Sequence, residues 1–419
     1  MKDIKYIIIR PRVFESKINK IILGRMFESS NIEGADVLIM KKKSAYIPPQ
    51  EIYSYFDSNE IYEINMDQFD EKTDIKIIYK FINEINKDIT FQEYIDKINF
   101  GKKLLYLAPR SSKYISRFHK SPECPGFLQG VFIRGCRNNC KYCFLRLTMR
   151  IRPITSLYCD FEQIVHEFKQ LRSQNNREIV NCSESGGIGS ILNMFPEYWN
   201  EIQRLAGLYH QTLLFTTKTN NIYNIPKSDK RTKNNIYAWS INTPEGIQEL
   251  ELSTASYKER IKAMKHMRSI GYRVAARFDP IFVKDLYHSF FIKGEICKFR
   301  DLNLKSVFKV LDDLIENEIE YLVLGTYRGY PNLNNFIELS FPDNWKKIFD
   351  LEEIPYEDRK HPTRRVKYPI KIRSLLYKTI YKYVKDEIPN VRLCKEPLIR
   401  GIGYGRCLCK ASINKTKQN

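Results

Sequence analysis

Three thiols stand in Gly135-Cys136-Arg137-Asn138-Asn139-Cys140-Lys141-Tyr142-Cys143-Phe144, at the spacing C-x3-C-x2-C. Thiolates so spaced can wrap one cubane [4Fe–4S] cluster, and three of them leave one iron without a protein ligand. An open iron is a binding position. It can chelate the amino and carboxylate groups of S-adenosylmethionine and hold the sulfonium beside the cluster. One electron from the reduced cluster then breaks a carbon–sulfur bond and yields a 5′-deoxyadenosyl radical; the cofactor carries the chemistry while the protein supplies position and excludes water. The competing readings are a zinc knuckle short of one ligand and three unrelated thiols. Structural zinc wants four ligands in a closed site. No His or fourth Cys lies close in sequence, so Cys124, Cys159 or a distant His would have to complete it.

Something must hold that loop at the mouth of a fold. Apolar strand-like runs occur at residues 128–133, 178–181, 212–217, 236–241, 273–278 and 321–324, with helical spacing at 161–172, 197–209, 256–270 and 304–316 between them. Strands alternating with helices predict a parallel sheet, closed or partly closed as a (β/α)6 barrel of the TIM type. In such a barrel the chemistry sits at the C-terminal ends of the strands, and the cysteine motif follows the first one. Ahead of it, runs at 6–9, 35–40 and 104–107 read as strands, 18–26 as a helix, and 67–98 as one or two helices. These predict an N-terminal α/β extension over residues 1–120, the barrel over 121–330, and a C-terminal region over 331–419.

That last region is chemically distinct. From Arg359 to the end there are 17 Lys and Arg against 3 Asp and Glu, a net +14 of the +20 carried by all 419 residues. Clustered positive charge favours a polyanionic partner. Arg364, Arg365, Lys367, Lys371 and Arg373 are interleaved with Tyr368, so cations for phosphates alternate with an aromatic face for a base, as in a nucleic-acid groove. A solvated Lys-rich helix face explains residues 378–385 equally well. No run is long enough for a signal-peptide core or a membrane span, which predicts a cytoplasmic protein. In a reducing compartment the ten cysteines are metal ligands or catalysts before they are disulfides.

At the cysteine motif the sequence resembles the radical SAM superfamily, and more narrowly the spore photoproduct lyase family of DNA repair enzymes. The likeness extends to residues 7–16 (IIIRPRVFES), 143–164 (CFLRLTMRIRPITSLYCDFEQI), 240–242 with 256–281, and 364–377. It implies repair of a thymine photoproduct in DNA by hydrogen abstraction and return, with a low-potential donor such as flavodoxin or ferredoxin. It implies that Cys182 returns a hydrogen atom to the substrate radical, and that Tyr142 assists hydrogen return to the cofactor. Ser183, Glu184, Lys218, Ser240 and Asn242 match positions lining the cofactor pocket.

Two departures from the family pattern stand out. The family carries tyrosine on both sides of its last cluster cysteine, whereas here the second position is Phe144, which has no O–H to pass on. Cys394, Cys407 and Cys409 form a C-x12-C-x-C set that could hold zinc or a second cluster. Two other functions therefore stay open: a radical SAM enzyme that modifies RNA or a peptide, and an iron–sulfur nucleic-acid-binding protein without catalysis.

Overall fold

The computed structural model describes residues 4–32, 35–41, 61–65, 91–120, 124, 126–148, 154–282, 304–329, 333, 366–368, 370–396, 399, 401, 402 and 408. β1 (Tyr6–Ile9), β2 (Asp36–Lys41), β3 (Ile61–Asn65) and β4 (Leu104–Ala108) form a parallel sheet in the order β3-β2-β1-β4. A parallel sheet is covered on both faces, so its strands read as unbroken apolar runs. In β1, Ile7 and Ile9 enter the main core while Tyr6 and Ile8 join Leu38 and Tyr106 in a smaller core on the opposite face. The helix Lys17–Glu28 starts at Ser16, whose hydroxyl accepts from Asn19 N at 3.1 Å. Asn19 is itself buried and its Oδ1 accepts from Phe161 N at 2.8 Å, tying this helix to the start of Phe161–Ser173.

β5 (Ile115–Phe118) runs antiparallel to β6 (Phe127–Gly130), which opens a second sheet. The chain then crosses back. β7 (Ile133–Arg134) and, beyond the cysteine loop with its short β8 (Asn139–Cys140), β9 (Thr155–Tyr158) both join the first sheet, which ends as β3-β2-β1-β4-β9-β7. The apolar run 128–133 expected as one strand is thus two strands in two sheets. Both halves are buried, so composition could not mark the change of pairing partner.

The second sheet continues through β10 (Val180–Asn181), β11 (Leu213–Thr217) and β12 (Ile236–Ile241). After β13 (Glu251–Leu252), which pairs with β8, it takes in β14 (Arg273–Ile281) and β15 (Tyr321–Thr326). β16 (Arg328–Gly329) and β17 (Val366–Lys367) form a separate ribbon, and β18 (Asn390–Leu393) returns to pair with β15. The order β5-β6-β10-β11-β12-β14-β15-β18 is parallel throughout except at β5. This is the partial (β/α) barrel expected, with one further parallel strand, β18. Strand pairing crosses both expected domain boundaries: β5 pairs with β6, β9 with β4, and β18 with β15.

The sheet has two chemically different faces. Leu128, Val180, Phe215, Trp239, Val274 and Leu322 point outward into the main core, where the helices Pro196–Leu208, Tyr257–Ser269 and Lys305–Glu316 pack. Phe127, Leu214, Ile236, Ala238, Ala275 and Val323 fill a small inner cluster at the base of the half-barrel. Above that cluster the interior is open. Among the described residues no helix is long and apolar enough to cross a membrane.

Candidate active site

The cysteine loop is fixed at several points. Gly135, with φ +87°, turns the chain out of β7, and its N–H and C=O are bonded to Ser185 O at 3.1 Å and Gly187 N at 3.0 Å. The loop following β10 can lie that close because it contains Gly186 and Gly187. A Cβ on Gly187 would stand 2.4 Å from Cys136 Sγ, and one on Gly186 would stand 2.7 Å from Gly135 O. From the turn before β4, buried Lys102 donates to Asn138 O at 2.7 Å and Asn139 Oδ1 at 2.8 Å, and Arg146 donates to Asn139 Oδ1 and to Cys140 O. Burial, followed by the charge of Arg146, lowers the Lys102 ammonium to about 8.

Cys136, Cys140 and Cys143 border one cavity of about 860 Å³ at the C-terminal ends of the barrel strands. Burial raises the Cys136 and Cys140 thiols, so only a cation or a metal would hold them as thiolates. Among the described residues no three His, Cys, Asp or Glu side chains are grouped as ligands of a single ion would be. One zinc draws its thiolates to about 2.3 Å from a common point. A cubane gives each thiolate its own iron and spreads them. Three thiols bordering one cavity are the donor set that a cubane with one open iron takes.

Of the residues expected to line a cofactor pocket, Ser183, Glu184, Lys218 and Ser240 do border this cavity. Ser183 Oγ accepts from Thr216 N at 2.7 Å, which ties the end of β10 to β11. Lys218 Nζ lies 2.5 Å from Ser240 Oγ and 3.0 Å from Glu251 Oε1. Asn242 is buried and spends its amide on Pro280 O at 3.1 Å; it stands behind the cavity and not in its wall.

Glu251, which no sequence pattern marked, organises this end of the site. Its side chain is fully buried, its backbone pairs with Cys140 across β13 and β8, and Arg260 Nη1 lies 2.5 Å from its Oε2. Burial alone would raise its carboxyl, but Lys218 and Arg260 hold it below the usual carboxylate range. Tyr142 borders the cavity and its hydroxyl donates to Glu251; burial, reinforced by that charge, raises the phenol well above its ordinary value and keeps the O–H. Phe144 also faces the cavity.

A second charged cluster also borders the cavity. Arg328 grips Asp279 through both oxygens, at 2.7 and 2.8 Å, and also donates to Cys394 O. Arg277 Nη2 lies 3.6 Å from Asp279 Oδ2 and 3.7 Å from Cys394 Sγ. Burial would raise the Asp279 carboxyl, but the two guanidinium groups keep it depressed. The cations bordering the cavity include Arg110, Arg134, Arg277 and Lys395.

The basic C-terminal segment departs from expectation where it is described. Tyr368 is 1% exposed and Arg373 5%; Arg373 donates to Tyr368 O at 2.6 Å and pairs with buried Glu396. Neither can stack on a base or meet a phosphate. The alternation of cations and aromatics that reads as a groove is here the start of a helix, Ile370–Val384, docked through its first turn. Lys367 lies in β17 and Lys371 in that helix, whereas Arg364, Arg365, Cys407 and Cys409 lie outside the described residues.

Residues 45–393 match the family described as Spore photoproduct lyase. The chain belongs to the spore photoproduct lyase family. It is 20% identical over 267 residues to the spore photoproduct lyase of Bacillus subtilis (strain 168), a match spanning 62% of this chain and 74% of the relative. Against the spore photoproduct lyase of Geobacillus sp. (strain Y412MC61) it is 22% identical over 153 residues, spanning 36% and 45%. A solved double mutant of spore photoproduct lyase with bound AdoMet and dinucleoside spore photoproduct superposes with TM-score 0.63 at 14% identity, covering 93% of this chain and 97% of that one. A spore photoproduct lyase complexed with dinucleoside spore photoproduct gives 0.61 at the same identity and coverage. Identity that low shows the fold, the radical SAM partial barrel.

One placement is unexpected in a member of the spore photoproduct lyase family. Cys182 is 1% exposed, its thiol donates to Val180 O at 3.3 Å, and it lies in the outer core with Val180. Side chains alternate along a strand, so Ser183 faces the cavity and Cys182 faces the helices. The thiol expected to return hydrogen is on the wrong side of the sheet.

Proposed function

We propose that this chain is a radical S-adenosylmethionine lyase that reverts the thymine–thymine spore photoproduct in DNA. The observation that carries this reading is the convergence, on one cavity at the barrel mouth, of the three loop cysteines with Ser183, Glu184, Lys218 and Ser240, in a chain of the spore photoproduct lyase family. Cys136, Cys140 and Cys143 would hold a [4Fe–4S] cluster whose open iron takes S-adenosylmethionine. When bound, the pair supplies a radical able to take hydrogen from carbon.

The chain's own residues do the rest. Glu184 and Ser183 offer a charge-assisted acceptor for the methionyl ammonium. Lys218 is held by Glu251 and is available to an anion at the same strand ends. Tyr142 closes the cavity beside the cluster loop as a neutral phenol. Arg110, Arg134 and Arg277 line the mouth, where a two-nucleotide lesion brings its phosphate. A base must leave the stack to reach that depth, and a lesion, already poorly stacked, does so at lower cost. A flavodoxin- or ferredoxin-class donor supplies the electron, and a reducing cytoplasm keeps the thiols reduced. Cys394 borders the same cavity, and its partners in the C-x12-C-x-C set, Cys407 and Cys409, lie outside the described residues.

The test is anaerobic. The protein is reconstituted with iron and sulfide, reduced with S-adenosylmethionine, and given an oligonucleotide bearing the thymine dimer made by irradiating dry DNA. Restored thymine is the expected product. If 5′-deoxyadenosine forms without thymine, the cofactor survives and the DNA lesion is excluded as substrate. If neither forms, the enzyme assignment falls.

A further inference from the structure

One buried cation next to the cysteine loop has no part in binding cofactor or substrate. Lys102 stands in the turn that leads into β4, is 5% exposed, and is not in the wall of the cavity. Its ammonium donates to Asn138 O at 2.7 Å and to Asn139 Oδ1 at 2.8 Å. Both residues lie between Cys136 and Cys140, so the contact falls inside the segment that must wrap the cluster. Arg146, 4% exposed, donates to the same Asn139 oxygen and, at 3.2 Å, to Cys140 O.

Two like charges therefore meet on one amide oxygen in a place nearly closed to water. Both hydrogen-bond partners of Lys102 are neutral oxygens, and among the described residues no carboxylate pairs with it. A buried charge is costly unless an opposite charge is near, and a second cation beside it adds repulsion. That arrangement works against the chain alone and turns favourable once the loop is anionic. The three cysteines, as thiolates, make it so. Burial and then Arg146 lower the Lys102 ammonium, and negative charge on Cys136, Cys143 and Cys140 draws it back up. The effect is mutual: burial raises the Cys136 thiol, and Lys102 opposes that rise. One fixed charge thus has all three cluster cysteines within electrostatic reach. A neutral donor of similar length could hold the same two oxygens; what only a cation adds is a field.

We propose that Lys102 is a positioning residue whose fixed positive charge stabilises the cluster held by Cys136, Cys140 and Cys143, its reduced state most, and so raises its reduction potential. The proposal rests on the cofactor half of the reading above. Reduction adds one electron to a group that three thiolates already make anionic, and no bond at Lys102 forms or breaks. The electron comes from the flavodoxin- or ferredoxin-class donor, and Lys102 neither gives nor takes one. Net charge and solvent exposure are among the properties that set the potential of such clusters, and a charge kept from water is weakly screened. Because the ammonium is outside the cavity wall, it acts on the cluster without occupying the space that S-adenosylmethionine and substrate need.

The experiment is a redox titration of the reconstituted protein, without S-adenosylmethionine or substrate, followed by electron paramagnetic resonance of the reduced cluster. Iron per chain is measured on every sample. Lys102→Gln keeps a hydrogen-bond donor without the charge, Lys102→Met removes both, and Lys102→Arg keeps the charge. Lys309→Met removes an exposed cation from the helix Lys305–Glu316 and controls for net charge. Lys102→Gln and Lys102→Met are expected to titrate at lower potential than wild type, by a shift that is the same in low and high salt. Lys102→Arg and Lys309→Met are expected to titrate with wild type. Loss of iron from the two neutral variants, with Lys102→Arg still loaded, also supports the proposal, because charge then decides whether the cluster is retained. A wild-type potential in Lys102→Gln overturns it whatever Lys102→Met does. An equal shift in Lys102→Arg, or loss of iron from all three variants, overturns it as well and leaves Lys102 a purely structural residue. If wild type itself shows no [4Fe–4S] signal, the cofactor reading falls first and takes the proposal with it.

Discussion

Two buried carboxylates serve this site, and they are built for different work. Glu251 is sealed: its side chain has no exposure, and Lys218, Arg260 and Tyr142 surround it. Asp279 is 9% exposed, holds Arg328 and Arg277, and borders the open space itself. The first charge lies behind the cluster loop, paired through the backbone with Cys140, and acts as a strut. The second orients two guanidinium groups and a thiol toward whatever enters. A charge that must fix geometry is taken out of water completely; one that must present partners to a ligand is left at the edge.

The sharpest way to break this contrast is Glu251→Ala. It leaves Lys218 and Arg260 buried without their counter-charge, which costs about 3–5 kcal/mol. The variant is expected to melt far below wild type and to retain less iron after reconstitution; unchanged iron content would show that Glu251 is no strut. Asp279→Asn is expected to cost less, about 1–3 kcal/mol, because Arg277 and Arg328 can turn to water in the cavity. Its main effect is on binding, measured as altered dinucleotide affinity with iron content unchanged.

Acid should expose both carboxylates together. Each titrates lower in the folded chain than in the unfolded one, so the stability they add is complete above the ordinary values of 4.5 and 3.8 and is lost as pH falls through the lower folded values. Circular dichroism across that range is expected to show wild type losing stability faster with falling pH than Glu251→Gln, which has no such proton to take up. Equal acid sensitivity would mean that Glu251 is not ionised when folded. The smallest effect belongs to the rim. Arg110→Ala is expected to lower the salt slope of DNA binding by about 1, as for one phosphate contact, and to leave the melting temperature near wild type.

What could be read in the sequence followed from how local the signal was. Cys136, Cys140 and Cys143 fall within eight residues, and the barrel strands are continuous apolar runs because both faces are covered, so both were legible. Glu251 was not, because its partners Tyr142, Lys218 and Arg260 meet it only through packing. Cys182 was misread by a single step of the pleat: a strand places one residue in the cavity and the next in the core, and no composition tells which. Arg373 and Tyr368 carried the pattern of a nucleic-acid groove, yet Glu396, supplied from beyond the helix, draws the cation inside. β18 was hidden in a basic segment because its four residues alternate in burial and never form an apolar run.

The crossing of the chain between its two sheets has a consequence for how the protein is made. β4 ends at Ala108, but its neighbour β9 begins only at Thr155, after β5 to β8 and the cysteine loop have been synthesised. At about 5–20 residues per second on the ribosome, β4 waits roughly 2–10 s with an apolar edge open. An open edge recruits other strands, so the nascent chain is most vulnerable to mispairing in that interval. The cysteine loop emerges in the same interval, before β9 and β13 exist to frame it. The frame of the cysteine loop is therefore complete only after the first four parallel barrel strands, β6, β10, β11 and β12, and then β13 have been made.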